Sequence, residues 1–386
     1  MWSRQFKIRF GEVELYFGPG VLRDNSKQAL QGSKKAVIVS SKSAAKISGA
    51  FDDIVSVLNT LGIEYTVFNK VTPNPTTGIV NELVELIEGY NADTIIAIGG
   101  GSVIDTAKVA SILPYTGVKA EEYVYGKRPQ GSKLKLIAVN LTHGTGSEVD
   151  RFAVLTVSGT IEKRGFITRY PDISFDDSYY TLTLSREQTL YTTLDAFYHA
   201  YEAATSKRNN IFVLTLAEEA VEKVTSYLEK TLSEPRNLEA RTNLLYASML
   251  AGMCIDTSGT HLVHALEHGF SGLNPDLPHG AGLAIVGPYA AYYIHKAVPE
   301  ESARILRILD PSIKPVSEDA EKAVKIIQEF QRKHGFEQRL SDYGIREVDL
   351  EKVVEFVEKT IRERYSVNLP LNIDKSTLLE IARRAL

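Results

Sequence analysis

Hydrophobic and polar positions follow two different periods along this chain. In the first half, short β-branched runs such as Ala36–Ser40 (AVIVS) and Thr94–Ile98 (TIIAI) alternate with segments of helical spacing such as Ala50–Leu61. Compact β-branched runs bounded by turn residues are typical of strands, and apolar residues three and four positions apart are typical of helices. Strands that alternate with helices favour a parallel sheet that is covered on both faces.

The same criteria predict the remaining elements of the first half. Further strands are predicted at Val13–Phe17, Ile63–Phe68 and Leu134–Val139, and further helices at Thr77–Gly89 and Ser102–Leu113. Phe152–Val157 and Arg164–Thr168 are predicted to form a hairpin at the edge of the sheet.

The pattern changes after about Leu184, where strand-like runs end and long segments of helical spacing begin. Helices are predicted at Ile211–Leu228, Leu238–Cys254, Lys322–His334, Leu350–Glu363 and Lys375–Leu386, and Ser185 begins another. The sequence therefore predicts an α/β nucleotide-binding domain over residues 1–184 and an all-helical domain over residues 185–386.

Composition narrows the class of protein. The chain has 386 residues, of which 44% are hydrophobic and 24% charged, and its net charge is -4, so a nucleic-acid partner is not expected. Charges interrupt the first twenty residues, and the uncharged stretch Gly280–Ile294 contains Pro288 and is too short to span a bilayer. Cys254 is the single cysteine, which excludes an internal disulfide. We expect a cytoplasmic protein with no membrane partner.

A glycine-rich turn follows the predicted strand at Thr94–Ile98. Gly99, Gly100 and Gly101 lack a Cβ and let the backbone approach a ligand closely, and Ser102 opens a helix. The free N–H groups and the dipole of a helix N-terminus favour a phosphate. The spacing differs from GxGxxG, so the ordinary dinucleotide fingerprint is absent.

A second polar turn, Asn140–Glu148, follows the strand at Leu134–Val139. Thr142, Thr145 and Ser147 offer hydroxyl groups there. Each turn by itself is compatible with a purely structural role. Two such turns at the carboxyl ends of strands favour a bound nucleotide, because ligands of open α/β sheets bind at those ends.

The residues after Ala36–Ser40 bear on which nucleotide is bound. An acid at this point would bind the ribose hydroxyls of NAD and repel a 2′-phosphate. The chain instead has Ser41, Lys42 and Ser43, which favour NADP(H). The alternative is a solvated loop in which Lys42 points to water.

Histidines are concentrated in two short windows of the second half. Five of the eight fall there: His199, His261, His264, His268 and His279. Asp195 precedes His199 by four residues, so both project from one helix face. His261, His264 and His268 are spaced i, i+3, i+7 and are also predicted to share one face. A carboxylate with imidazoles suits Fe²⁺ or Zn²⁺, but spacing alone does not choose among these three histidines.

These residues closely resemble the iron-containing, or group III, alcohol dehydrogenase family. The matching segments are Asn74-Pro75-Thr76, GGGSVIDTAK (99–108), GTGSEV (144–149), LDAFYHAYEA (194–203) and HALEHGF…LPHG (264–280). They occur in the family's order, and the resemblance extends from about residue 10 to the C-terminus.

The resemblance implies a Rossmann-like N-terminal domain, a helical C-terminal domain and a site in the cleft between them. By motif match the metal ligands would be Asp195, His199, His264 and His279. His268 would lie near the nicotinamide and relay a proton, and Asp195 would also serve catalysis through its negative charge. Cofactor contacts would fall on Asn74, Gly99, Gly100, Gly101, Ser102, Asp105, Thr142, Thr145, Lys163 and Leu184, beside Ser41 and Lys42.

The chain also departs from the family pattern near the expected cofactor and metal. Asn140-Leu141 replaces a proline-threonine pair, His143 replaces a small residue, and Thr193 replaces a glycine. Ser41 occupies the position where NAD-preferring members usually carry Asp, which agrees with the preference for NADP(H).

The resemblance predicts a dehydrogenase that transfers hydride between NADP(H) and a small alcohol or aldehyde. Fe²⁺, or Zn²⁺ or another divalent metal, would polarise the substrate oxygen. A homodimer or larger homo-oligomer is expected by analogy. The alternatives are a zinc-dependent polyol or glycerol-phosphate dehydrogenase of the same fold, and a nucleotide-binding protein without catalysis.

Overall fold

The computed structural model describes residues 5–131 and 133–386. They divide into two compact units. The first extends through Ser185 and also contains Glu234–Leu245, and the second consists of Arg186–Ser233 and Tyr246–Leu386. The segment Glu234–Leu245 falls inside the range predicted as the helical domain, yet it packs with the first unit. The chain therefore passes between the units three times.

A seven-stranded, mostly parallel sheet forms the centre of the first unit. The strands of this unit are β1 (Phe6–Phe10), β2 (Val13–Phe17), β3 (Lys35–Ser40), β4 (Glu64–Phe68), β5 (Thr94–Gly99), β6 (Lys135–Asn140), β7 (Phe152–Thr156), β8 (Lys163–Ile167) and β9 (Ile173–Asp176). The large sheet has the order β1-β2-β9-β6-β5-β3-β4, in which β1 and β2 are antiparallel and all other pairs are parallel.

The predicted hairpin forms, but its predicted position at the edge of the sheet is wrong. Strands β7 and β8 pair with each other as a separate two-stranded sheet. The reason is visible at the backbone of β7. Val154 N–H donates to Asp105 Oδ2 at 2.8 Å, and Thr156 N–H donates to Pro75 O at 2.9 Å. These two N–H groups are therefore already paired, and they are not available to a neighbouring strand of the large sheet.

Helices cover both faces of the large sheet, as the alternating pattern predicts. Those of the first unit are α1 (Val21–Ala29), α2 (Ala44–Ser48), α3 (Ala50–Leu61), α4 (Thr77–Tyr90), α5 (Gly101–Ala110) and α6 (Ala120–Val124), with a 3₁₀ turn at Ser178–Thr183. Successive residues of β3 point to opposite faces, so Val37 packs in one buried apolar cluster and Ile38 in another.

The second unit is all-helical. Its helices are α7 (Arg186–Thr205), α8 (Ile211–Ser233), α9 (Leu238–Ser258), α10 (Leu262–Leu273), α11 (His279–Ala297), α12 (Pro299–Leu306), α13 (Ala320–Lys333), α14 (Glu347–Thr360) and α15 (Lys375–Ala385), and α9 begins in the first unit. Short 3₁₀ turns occur at Ser317–Asp319 and Leu340–Tyr343, and a π-helical turn at Ile361–Tyr365. Across residues 5–131 and 133–386, no helix has the length and apolar character needed to cross a membrane.

Candidate functional site

Helix α7 carries the first two predicted metal ligands. Asp195 and His199 lie one turn apart in the part of α7 that is buried on all sides, with 2% and 5% of their surfaces exposed. His199 Nε2 lies 3.5 Å from Asp195 Oδ1. The four-residue spacing therefore brings a carboxylate and an imidazole together inside the unit.

Two further helices bring imidazoles to the same carboxylate oxygen. His264 Nε2, from α10, and His279 Nε2, from the start of α11, lie 3.8 and 3.7 Å from Asp195 Oδ1. Ligand atoms about 2.1 Å from a four-coordinate metal are about 3.4 Å apart. The separations between Asp195 and the three imidazoles are close to that value.

Two buried atoms of this cluster indicate that a cation fits it. Within the described part of the chain, Asp195 Oδ1 and His264 Nε2 have no hydrogen-bond partner. Leaving a buried polar atom unpaired costs about 1–3 kcal/mol, and a metal ion would satisfy both atoms. Burial alone would raise the pKa of Asp195, but His199, His279 and His264 outweigh it and hold that pKa well below its usual range. The carboxyl is therefore the anion that metal binding requires.

A buried glutamate on α7, Glu202, holds the other side of His264. His264 Nδ1–H donates to Glu202 Oε2, and Val263 N–H donates to Oε1 at 2.7 Å. Burial would raise the pKa of Glu202, but His261 and His264 lower it to about 2. An imidazole that donates through Nδ1 presents a lone pair at Nε2, so Glu202 selects the tautomer that suits a ligand.

The structure places His261, His264 and His268 differently with respect to Asp195. His261 precedes α10 with φ −148° and does not share the helix face, so the i, i+3, i+7 prediction is wrong. Its Nδ1 lies 3.2 Å from Glu202 Oε1 and its Nε2 3.1 Å from Thr205 Oγ1, away from Asp195.

His268 lies one turn beyond His264 and beside the cluster. Its ring centroid is 6.3 Å from that of His264 and 5.6 Å from that of His279. Its Nδ1 is 3.1 Å from the Tyr365 hydroxyl, and its Nε2 is 3.9 Å from Glu267 Oε2.

Sequence reasoning missed Glu202, Glu267 and Tyr365. The two glutamates leave a signal in the sequence, because each is an acid within helical segments otherwise dominated by small and apolar residues. Such an acid is buried together with a partner or is solvated, and spacing alone does not distinguish the two cases.

The two polar turns of the first unit pack against each other. Gly100 is the N-cap of α5 and has no side-chain cap. A Cβ on Gly100 would lie 2.7 Å from Thr142 Oγ1, and one on Gly101 would lie 2.6 Å from Thr145 Cγ2. The glycines are therefore needed for this contact, and the N-terminal N–H groups of α5 remain suited to a phosphate.

A buried network fixes the second turn to α5. Lys108 is fully buried, and its Nζ contacts Asp150 Oδ1 at 2.8 Å, Ser147 Oγ at 2.9 Å and a backbone carbonyl at 2.7 Å. Asp105, a predicted cofactor contact, accepts from Ser147 Oγ at 2.5 Å and from Val154 N–H at 2.8 Å. Both oxygens of Asp105 thus stabilise the protein itself.

The other predicted cofactor residues also lie in the first unit. Ser41 and Lys42 lead from β3 to α2, and Lys42 is exposed. Asn74, with φ 51°, precedes Pro75, whose carbonyl accepts from Thr156 N–H, and Lys163 is the register partner of Thr156. The residues that follow Asn74 and strand β8, which carries Lys163, thus pair with opposite edges of β7.

Position 143, where the chain departs from the family pattern, is fully buried. His143 Nε2 lies 3.3 Å from Nη1 of Arg241, which also donates through Nη2 to Leu184 O at 3.3 Å. Burial and then the guanidinium lower the pKa of His143 to about 3, so the imidazole is neutral. It is therefore a packing residue that links the second turn to the segment Glu234–Leu245.

Two buried carboxyl groups lie at this place, Glu148 at the end of the second turn and Asp176 at the end of β9. Both oxygens of Glu148 lack a hydrogen-bond partner in the described ranges, and Asp176 Oδ1 accepts from Asn140 at 2.9 Å. Burial raises the pKa of Asp176 to about 7, and burial together with Asp176 raises that of Glu148 well above its ordinary value. The pair therefore holds protons at pH values where free carboxyls have lost them.

Comparisons with known proteins match both halves of the chain. Residues 13–178 match the family model for iron-containing alcohol dehydrogenase, and residues 189–386 match the C-terminal model of the Fe-containing alcohol dehydrogenase family. The long-chain primary alcohol dehydrogenase AdhA of Thermoanaerobacter ethanolicus is 37% identical over 93% of this chain and 91% of its own length. An archaeal alcohol dehydrogenase from a Red Sea brine pool superposes with a TM-score of 0.90 at 28% identity, over 99% of this chain and 98% of that chain.

Relatives with a cofactor in their names differ from one another. The NADPH-dependent butanol dehydrogenase of Clostridium saccharobutylicum is 29% identical over 95% of each chain. The NAD-dependent methanol dehydrogenase of Bacillus methanolicus is 27% identical over 86% of this chain and 88% of its own. Family membership alone therefore does not fix which of the two cofactors a member uses.

Proposed function

Because this chain belongs to the iron-containing alcohol dehydrogenase family, we propose that it transfers hydride between NADP(H) and a small alcohol or aldehyde with the help of a divalent metal. Family membership makes it an oxidoreductase of the alcohol dehydrogenase class. The metal-dependent part of the proposal is supported by one observation. Three imidazole Nε2 atoms lie within 3.8 Å of Asp195 Oδ1.

Asp195, His199, His264 and His279 would hold the metal. One carboxylate oxygen and three imidazole nitrogens suit Fe²⁺, and also Zn²⁺. The metal, when bound, supplies Lewis-acid polarisation of the substrate oxygen. Asp195 brings a negative charge that offsets part of the cation's charge in a buried place, where an uncompensated charge would be costly.

His268 is our candidate for moving the proton that accompanies hydride transfer. The Tyr365 hydroxyl lies 3.1 Å from His268 Nδ1 and fixes the ring on that side. Burial raises the pKa of Tyr365 above its usual range, so the phenol keeps its proton and stays a hydrogen-bonding group. His268 would then exchange a proton at Nε2 with the substrate or a water.

The residues after β3 support a preference for one cofactor. Ser41, Lys42 and Ser43 supply two hydroxyls and a cation where an acid would exclude a 2′-phosphate. The N-terminal N–H groups of α5 and the hydroxyls of Thr142 and Thr145 would bind the remainder of the dinucleotide. We therefore propose NADP(H) as the preferred cofactor.

Substitutions of two lysines that are close in sequence, Lys42 and Lys46, test this preference. Lys42→Ala should lower kcat/KM for NADPH about tenfold or more, because a charge-assisted contact contributes roughly 1.5–3 kcal/mol, and should leave kcat/KM for NADH unchanged. Lys46→Ala on α2 is the matched control. Wild-type protein that prefers NADH, or equal effects of the two substitutions, would contradict the assignment.

The metal-dependent reaction is tested on protein purified anaerobically. We expect about one divalent metal per chain and oxidation of NADPH with short aldehydes. Asp195→Ala and His264→Ala should lose both metal and activity, whereas His295→Gln, at a buried histidine bonded to Ser302 and Val316, should retain the metal. Retention of metal and activity in Asp195→Ala would show the assignment to be wrong.

The cytoplasmic location and the homodimer predicted from the sequence belong to the same proposal. Strand β1 is an edge strand of the large sheet, and such an edge offers backbone groups to a second copy. Size-exclusion chromatography with light scattering tests the dimer, and cell fractionation tests the location.

A further inference from the structure

Glu267 faces the metal ligand that is least enclosed by the protein. Its side chain is fully buried on α10, and its Oε2 lies 2.5 Å from His279 Nδ1. The side chain of His279 is 26% exposed, against 7% for His199 and 4% for His264. His279 is also the first residue of α11, directly after Pro278, so packing alone restrains it less than the other ligands.

Interatomic distances distinguish two roles for Glu267: a ligand of a second cation, and a hydrogen-bond acceptor for His279. Glu267, His268 and His279 place donor atoms close enough together to be considered as a second cation site. Two ligands of one tetrahedral metal are about 3.4 Å apart, however, and 2.5 Å is too short for that. It lies just below the about 2.7–2.9 Å of a charge-assisted N–H···O hydrogen bond. His279 Nδ1–H therefore donates to Glu267, and no ion lies between them.

We propose that Glu267 is a positioning residue, which holds His279 Nδ1–H and thereby aims His279 Nε2 at the metal. This role rests on the metal centre proposed above. An imidazole that donates at Nδ1 carries its lone pair at Nε2, and His279 Nε2 is the atom 3.7 Å from Asp195 Oδ1.

Gly282 makes room for this carboxylate. A Cβ on Gly282 would lie 2.9 Å from Glu267 Cγ and 3.3 Å from Glu267 Oε1. Gly282 lies three residues after His279 on α11, so the helix that carries the ligand also leaves the space that its hydrogen-bond partner occupies. A methyl group at Gly282 would displace the carboxylate without removing it.

Co²⁺ binding to the metal-free protein tests the role of Glu267. Its affinity is measured by competition with a chelator, and its d–d absorption reports the coordination geometry. Loss of a hydrogen-bond partner behind a metal ligand typically weakens metal binding 10–100-fold. We expect a loss in that range for Glu267→Ala and for Gly282→Ala. Glu267→Gln should lose less, because its amide oxygen still accepts from His279 Nδ1–H.

Matched measurements distinguish positioning from simple packing. Glu218→Gln, which breaks an ion pair with Arg304 elsewhere in the second unit, should bind Co²⁺ like wild type. A packing role would lower the melting temperature of the metal-free protein while leaving Co²⁺ affinity and the absorption spectrum unchanged. A positioning role changes both affinity and spectrum, and Gln partly rescues them.

The outcomes separate this inference from the metal centre itself. If wild type and Asp195→Ala bind Co²⁺ equally poorly, the metal centre is refuted and the role of Glu267 with it. If Asp195→Ala abolishes binding but Glu267→Ala, Glu267→Gln and Gly282→Ala all bind as wild type does, the metal centre stands and the role of Glu267 is refuted. Should Glu267→Ala fail to fold, the two other variants decide.

Discussion

Replacing Gly280 with Ala should distort the proposed metal centre by displacing the backbone next to it. Gly280 follows His279 at the start of α11, and a Cβ there would lie 2.0 Å from the carbonyl oxygen of Tyr191 on α7. Real Cβ atoms essentially never come closer than 3.0 Å to another heavy atom. The obstacle is backbone, so α7 and α11 must separate here by about 1 Å.

The carbonyl that would be pushed away matters for Asp195. In an α-helix the C=O of residue 191 accepts the N–H of residue 195, so displacement of Tyr191 carries Asp195 with it. Asp195 Oδ1 and His279 Nε2 are now 3.7 Å apart. Metal sites tolerate about 0.2 Å of distortion, and a 1 Å misplacement at an active site costs about 100-fold in rate.

We therefore expect Gly280→Ala to weaken Co²⁺ binding at least about tenfold and to lower the free energy of unfolding by about 1–3 kcal/mol. Urea unfolding and chelator competition measure the two effects. The matched control is Gly89→Ala on α4, where an added Cβ meets nothing within 4 Å. That substitution should stabilise the protein by about 0.5–1 kcal/mol. Wild-type Co²⁺ affinity and stability in Gly280→Ala would refute the reasoning.

Three further predictions concern buried charges. Lys108→Met should lower the free energy of unfolding by about 3–5 kcal/mol in urea, because it leaves Asp150 buried without its cation. Glu202→Ala should weaken Co²⁺ binding 10–100-fold in the chelator competition, because His264 loses the acceptor of its Nδ1–H. Asp176 binds a proton more tightly in the folded than in the unfolded chain, so stability should fall as pH rises from about 3.8 to about 7. Asp176→Asn should flatten that part of the pH profile of urea unfolding.

Each of these predictions has an outcome that contradicts it. Lys46→Ala, at an exposed lysine, is the control for Lys108→Met, and equal unfolding free energies of the two variants would count against the buried network. Unchanged Co²⁺ affinity in Glu202→Ala would remove the role given to that carboxylate. A pH profile of Asp176→Asn that is parallel to the wild-type profile would mean that another group accounts for the slope.

Local pattern predicts the elements of the fold better than their placement. Strand Val13–Phe17 and helix Ala50–Leu61 have the predicted bounds, and Gly62 ends that helix in the left-handed conformation. The sequence places the hairpin at the edge of the large sheet, and this is wrong. The side chain of Asp105 on α5 binds the backbone of β7, and such a contact leaves no periodic pattern in the sequence. Strand β9 has four residues, too few to show a period.

The candidate site shows the same limit. The proximity of Asp195 and His199 can be predicted from their four-residue spacing within one helix. The proximity of His279 to Asp195 depends on how α7 and α11 pack, which the spacing does not report. His261 was expected to share the face of His264, but α10 begins at Leu262, and a helix start is uncertain by more than one residue from sequence. Glu267 was missed because a buried acid and a solvated acid have the same helical spacing.

The segment Glu234–Leu245 has a consequence for hybrid proteins. It belongs to the first unit although 48 residues of the second unit precede it, and its Arg241 binds His143 and the Leu184 carbonyl. In a hybrid with a relative whose crossover lies near residue 185, His143 from one parent would face the residue at position 241 from the other. Exchange of the first unit between relatives therefore requires two inserts, and a library recombined at one breakpoint would separate side chains that contact each other.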